Sequence, residues 1–344
     1  MRRFLTGVLA LAMMLSLTAC QEASAEKQVF AMDTVMSLAA YGDSCETALK
    51  EAELELYRLD AQLSRTSETS LVSEMNASAG AEVSVTGEVE ALLRTAKQYS
   101  KVTNGAFDIT IAPVVSAWGF TEDSYCVPEQ AELEYLLSHV GEGNLELGNG
   151  TAVLAPETQI DLGGIAKGYA SDRVAEIFRE FGIERGWISL GGNVMAAGTK
   201  LNGEPWKVGI QHPKHPTEEV FVGFVFLENA YAVTSGGYQR FFEEDGTTYH
   251  HIIDPATGYP ADSGLVSVTV VADCETAGNG TMCDAFSTAL FVMGEEKALE
   301  FWRNSEYDFD LVLVTDEDRV VVTSGLAERF AEAEGSGYTY ETVS

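Results

Sequence analysis

Apolar residues recur along this chain with two periods, and the switches between them mark its elements. From Cys45 to Leu63 the positions Leu49, Leu54, Leu56, Leu59 and Leu63 fall at mostly helical spacing, which predicts a helix after an extended segment over residues 29–41. A second helix is predicted over residues 88–101, where Val89, Leu92, Leu93 and Ala96 share a face and Asn104-Gly105 ends it. A third is predicted over 128–139, opened by Pro128. Alternation marks 206–211 and 220–226 as strands, and 265–272 is the strongest strand signal. Residues 285–292 and 296–304 read as helices, and 311–314 with 319–323 as a hairpin across Asp316-Glu317-Asp318. Strands and helices mix without a regular βαβ period, so the expected fold class is α+β.

The start of the chain follows a different logic. Arg2 and Arg3 precede an apolar run from Phe4 to Leu17, and small residues lead into Cys20. That is the pattern of a bacterial lipoprotein signal, with residues 1–19 removed and Cys20 acylated. The run is too short for a membrane span, which needs roughly 20 apolar residues. The expected address is the extracytoplasmic face of a cell membrane, reached through the lipid, with residues 20–28 as a polar tether and 29–340 as one large domain or two intimate lobes.

Composition narrows the partners. The net charge of −32 excludes nucleic acid as a reasonable ligand and implies that an anionic substrate would need local cations. Five cysteines show no CxxC or Cys/His grouping for zinc, and a Cys274–Cys283 disulfide outside the cytoplasm is an open expectation.

Three constellations carry candidate chemistry. Asp161-Leu162-Gly163-Gly164-Ile165-Ala166-Lys167 ends a strand, turns on two glycines and opens a helix, so it either cradles phosphate beside Lys167 or is a plain corner. His251 through Pro260 holds Asp-Pro-x-Thr-Gly turn chemistry, in which His251 is either a base for a hydroxyl or a cap for the turn, with His250 facing the other way. Asp284, Ser287 and Thr288 share one helical face and offer either oxygen ligands to a hard cation or an ordinary helix cap.

Together these stretches resemble the FAD:protein FMN transferase (ApbE) family over nearly the whole mature chain. Ala31-Met32-Asp33-Thr34, Phe107-Asp108-Ile109-Thr110, Trp118-Gly119-Phe120, Ser189-Leu190-Gly191-Gly192 and Thr234-Ser235-Gly236 join the three constellations in the family's order. The resemblance implies FAD as substrate in a cleft between two lobes, contacted by Met32, Trp118, Gly119, Phe120, Asp161, Lys167 and Ile253. It implies Mg²⁺ held by the main-chain oxygen of Gly164, by Asp284 and by Thr288, with Ser287 as a further candidate. The activity implied is transfer of FMN to a Thr or Ser hydroxyl of a client protein with release of AMP, and His251 or Asp254 is the expected base. Two positions depart from the family: Asp33 stands where it has glycine, and Thr66 where some transferases have tyrosine. The second makes hydrolysis of FAD to FMN and AMP an alternative. Non-catalytic flavin binding, or sugar or peptide binding, stands further off.

Overall fold

The structure, a computed structural model, describes residues 22–121 and 124–344. The leader and Cys20, with its expected lipid, lie outside the described residues. The first hairpin pairs β1 (Ser24–Ala31) with β2 (Thr34–Tyr41) along their full length. The single extended segment expected over 29–41 is thus folded on Met32-Asp33, whose φ values of 49° and 57° are both left-handed. Such a turn suits strand twist but is usually built from Asn and Gly, so alternation gave no sign of it. β1 also occupies most of the stretch expected as a tether. Pairing with β2 satisfies its backbone whatever its side chains, and Lys27 reaches Glu53 on the next helix.

That helix, α1 (Cys45–Leu63), has the predicted bounds and buries Leu49, Leu56, Leu59 and Leu63, while Leu54 faces solvent. After α2 (Leu71–Ala77) and β3 (Val83–Ser84), α3 (Gly87–Val102) starts where the Thr86 hydroxyl accepts from the Val89 amide, with Glu88 and Glu90 in its first turn. α4 (Ala112–Ala117) and α5 (Gln130–Leu137) follow, the latter starting after Pro128 rather than on it. Next come β4 (Leu145–Gly148), β5 (Thr151–Leu154), α6 (Ala166–Glu180), β6 (Arg185–Leu190) and β7 (Asn193–Ala197). The chain continues through β8 (Trp206–Gln211), β9 (Phe221–Leu227), β10 (Ala230–Gly236), β11 (Phe241–Glu244), β12 (Thr247–His250) and β13 (Leu265–Asp273). It closes with α7 (Asn279–Met293), α8 (Glu295–Asn304), β14 (Asp310–Thr315), β15 (Arg319–Thr323), β16 (Phe330–Glu332) and β17 (Thr339–Val343), just past the expected domain end at 340.

Among the described residues, nine strands form the main sheet in the order β1-β2-β6-β7-β10-β13-β14-β15-β17, antiparallel except for β15 with β17. This is the expected α+β class. One face of the sheet carries α1, α6 and α7 over the largest apolar core. The other face packs Val271, Val312 and Val314 against Val222, Val225 and Leu227 of the small β16-β9-β8 sheet. α7 is buried nearly all round between sheet and helices, which erases the amphipathic contrast. It therefore begins six residues before the stretch that sequence marked as helical.

A third apolar cluster gathers Val114, Trp118, Phe120, Leu133 and Ile253, with Phe242 and Tyr249 packed against it. It forms the lesser lobe, and the cleft lies between it and the turn end of the main sheet. Cys274 and Cys283 are free thiols: Cys283 is sealed within α7, and the Cys274 sulfur faces the Ala196 carbonyl at 3.8 Å. The loop expected to be closed by a disulfide is instead partly the first turns of α7.

Candidate active site

A cleft of about 760 Å³ runs between the lobes. Its floor at the main sheet is made by two neighbouring hairpin turns. Met32-Asp33 lies beside Gly191-Gly192, which also takes positive φ at both positions, and a Cβ on Gly191 would meet Thr34 Oγ1 at 2.6 Å. Left-handed backbone costs L-residues roughly 1–2 kcal/mol each, so Met32 and Asp33 are held where they are by the pairing around them, and both line the cleft.

At one end of the cleft α6 and α7 cross closely. A Cβ on Gly168 would collide with the Gly280 carbonyl oxygen and stand 2.6 Å from Asp284 Cβ. Asp284, expected in the first turn of its helix, sits well inside α7 and does not cap it. Its Oδ2 accepts instead from the Gly168 amide of α6 at 2.8 Å. In return Asp172 of α6 accepts from the Gly280 and Thr281 amides at the start of α7, both at 2.8 Å. Burial holds the Asp172 carboxyl above its ordinary range, against the pull of its Thr281 hydrogen bonds.

This exchange has a consequence for Gly164. Because the Gly168 amide points to Asp284, the helical bonds step from Ala166 to Leu162 and then from Tyr169 to Ile165, and the Gly164 carbonyl stays outside the ladder among the described residues. Thr288 Oγ1 would be 3.6 Å from a Cβ on Gly164. A freed carbonyl, one carboxylate and one hydroxyl thus converge on the cleft, and all three are hard oxygen donors. Among the described residues no cluster of three or more His, Cys, Asp or Glu forms a metal cage. The donor set fits a magnesium ion completed by water and phosphate oxygens. Ser287 does not join it: its hydroxyl is fully buried, donates to the Asp284 carbonyl and meets Ser235 Oγ at 2.7 Å.

Cations enter the acidic molecule here. Lys167 donates to the Gly163 carbonyl at 3.0 Å and lines the cleft. Arg65, unremarked in the sequence, lines it too, clamped to Asp161 Oδ2 at 3.0 Å and to Ser116 Oγ at 2.5 Å. Asp161 also accepts from the Gly163 amide at 2.7 Å, which shapes the corner. Arg240 adds a third cation, and its guanidinium donates to the Phe120 carbonyl.

His251 faces the cleft. Its Nδ1 lies 3.2 Å from the Arg240 carbonyl, which can only accept, so Nδ1 carries the hydrogen and Nε2 the lone pair. Burial pushes its pKa down to about 4, and the ring is neutral at pH 7. His250 points away, against Phe291 and the Ala261 carbonyl. Asp254 is not brought into the cleft. Its carboxylate accepts from the Ala256 amide and the Thr257 hydroxyl, bracing the turn.

Of the expected flavin contacts, Met32, Phe120, Asp161, Lys167 and Ile253 line the cleft. Trp118 does not: it is fully buried, and its Nε1 donates to the Gly258 carbonyl at 2.7 Å, tying the 118–120 segment to the histidine turn. Gly119 stands behind the wall, where a Cβ would strike the Ser124 carbonyl. Sequence reasoning missed Asn193 and Thr121. Both line the cleft, and Asn193 Nδ2 and Thr121 Oγ1 are buried without a partner among the described residues. Buried orphan donors are rare, and two lining one cleft mark a surface made for a polar ligand. The glycine pair before Asn193 was the available signal.

A sequence profile of the ApbE family matches residues 32–313. The chain is 30% identical to the FAD:protein FMN transferase of Haemophilus influenzae, over 96% of this chain and 99% of that one. It is 33% identical to the FAD:protein FMN transferase of Treponema pallidum, over 82% and 81%. The crystal structure of the ApbE protein from Thermotoga maritima superposes with a TM-score of 0.81 at 32% identity, covering 91% of this chain and all of that one. The apo form of the Pseudomonas stutzeri flavinyl transferase ApbE gives 0.78 at 28% identity, over 91% and 98%.

Proposed function

Because the chain belongs to the ApbE family, we propose that it cuts FAD at its pyrophosphate and transfers the FMN half to a threonine or serine hydroxyl of another protein, releasing AMP. One observation carries this reading: the Gly163-Gly164 corner and Asp284 with Thr288 meet at one end of a cleft that also holds Lys167 and Arg65.

Gly164, Asp284 and Thr288 would hold a magnesium ion, which when bound supplies positive charge against the diphosphate. Lys167 and Arg65 hold the anionic substrate in an otherwise repelling molecule. Orphan donors at Asn193 and Thr121 gain acceptors when it binds. His251, fixed by the Arg240 carbonyl, offers Nε2 to the proton of the attacking hydroxyl. The hydroxyl oxygen bonds to the riboflavin-side phosphorus, the anhydride P–O bond breaks, and its electron pair leaves with AMP. Asp254, outside the cleft, takes no part. The leader motif supports a lipid anchor at Cys20 on the extracytoplasmic face of the membrane.

Thr66 supports a second reading. It lines the cleft with a small side chain bonded to Ser64, leaving room for water, and hydrolysis would give free FMN and AMP. Incubation of the full chain with FAD, magnesium and a co-expressed acceptor protein separates the outcomes. AMP with FMN bonded to protein supports transfer, AMP with free FMN alone supports hydrolysis, and no AMP defeats both.

A further inference from the structure

We infer that the groove beside the cleft, between the C-terminal ends of α3 and α8, receives the acceptor protein as an extended segment and delivers its hydroxyl to the site. The inference rests on the flavin-transfer reading and adds to it where the second substrate enters.

A group-transfer enzyme with a macromolecular acceptor needs two compartments that meet at the reacting atom. The structure has them. Next to the 760 Å³ cleft lies an open groove of about 1010 Å³, and the two share Ala106, Asp108 and Pro255 as walls. Between the first two of these, Phe107 turns its ring into the cleft, where its Cε2 would be 3.3 Å from a Cβ on Gly164. On the opposite side the wall runs from Pro255 back to Ile253 and His251, which belong to the cleft. Groove and cleft thus adjoin across residues 106–108 and Pro255, on the side of the cleft where Phe107 packs against Gly164 and where the chain leads back to the proposed base.

The lining of the groove says what fits. Val102, Val292, Met293 and Phe301 supply apolar surface, and Val102 is 37% exposed at the end of α3. Asp108, Asp254, Glu300 and Glu306 outnumber Lys297, so acidic side chains are disfavoured as anchors. An extended strand with apolar side chains turned to that floor could place one threonine or serine at the threshold, a recognition mode in which pockets take alternate side chains. The position of Asp254 also finds an explanation: it belongs to the wall along which the acceptor would enter.

The test uses the full chain and two groove-filling variants, Val102→Trp and Asn304→Trp, on opposite walls and both exposed. The probe is a pool of peptides, each with one threonine, scored by mass for a bonded FMN group. Flavin fluorescence reports FAD uptake, and AMP release without peptide reports turnover with water. The expected result is unchanged uptake and water turnover in both variants, with KM for modified peptides raised by about tenfold. Peptide modification at the wild-type KM in both variants overturns the groove assignment alone. Failure of the wild-type chain to consume FAD overturns the flavin-transfer reading and this inference with it. Consumption without modification of any peptide overturns only this one.

Discussion

Asp284 on α7 and Gly168 on α6 are joined by a 2.8 Å hydrogen bond from amide to carboxylate. The bond sets the separation of the two helices, frees the Gly164 carbonyl, and fixes the carboxylate that faces the cleft. Asp172 returns the same kind of contact to the start of α7, so each helix caps the other. The metal-binding geometry proposed for the site is therefore a by-product of how two buried helices satisfy each other's amides. Positioning by scaffold helices rather than by loops gives such a site its precision.

Gly168→Ala tests that coupling by its sign. Helix propensity alone makes alanine better by about 1 kcal/mol. Packing opposes it, since the new methyl would meet the Gly280 carbonyl and Asp284 Cβ, and overpacking of this kind costs about 1–3 kcal/mol. We expect a lower Tm and weaker magnesium-dependent FAD uptake in flavin-fluorescence titrations. A raised Tm would show that the helices are not in contact at this point.

Asn193→Ala separates function from stability. Its buried donor lacks a partner, a burden of about 1–3 kcal/mol in the free protein. Removing it should leave Tm unchanged or raised while FAD binds about tenfold more weakly, if the missing acceptor belongs to the substrate. A fall in Tm with FAD affinity intact would instead make Asn193 structural.

Much of this arrangement is legible in the sequence, and the gaps have physical causes. α1 and α3 come through because each has one buried and one exposed face, β13 because it is a long run rich in valine, and the β14–β15 hairpin because of its local turn signal. The start of α7 does not, because a helix buried on every side has no contrast to read. The Met32-Asp33 turn is hidden because its residues adopt a backbone that sequence assigns to glycine. Gly164, Asp284, Thr288 and His251 were visible as motifs, yet their mutual placement was not. Arg65 was not visible at all: its partner lies 96 residues on, and no local pattern encodes that pairing. Trp118 shows the opposite error, since a motif residue next to a ligand-facing Phe120 can be the buried support of that motif.

Asp33 puts a carboxylate at the cleft. Asp33→Asn removes the charge and keeps a side chain that tolerates left-handed backbone. Repulsion of a nearby phosphate in water is of order 1 kcal/mol at 4 Å, so FAD should bind about two- to fivefold more tightly at low salt. The gain should shrink as ionic strength rises. Titrations at two salt concentrations decide it, and equal affinities at low salt would place the Asp33 carboxylate away from the diphosphate.

The pH response of His251 follows from its burial. An ordinary imidazole near 6.5 would give a rising limb through neutrality, but burial lowers this one to about 4, assisted by the charges of Arg240 and Lys167 and opposed by the hydrogen bond to the Arg240 carbonyl. A general base must be deprotonated, so kcat/KM for FAD should stay level with respect to this group from about pH 5 to 8 and fall only toward pH 4. Stability moves in the same direction. The folded pKa is below the unfolded one, so the unfolded chain binds the proton first as pH falls below 6.5, and the contribution present above 6.5 is lost down to about 4. Rates against pH, with an NMR titration of the His251 ring assigned through His251→Gln, measure both. A ring that titrates near 6.5 together with the rate would mean that the imidazole is solvated in the free enzyme and that its tautomer is not fixed by Arg240.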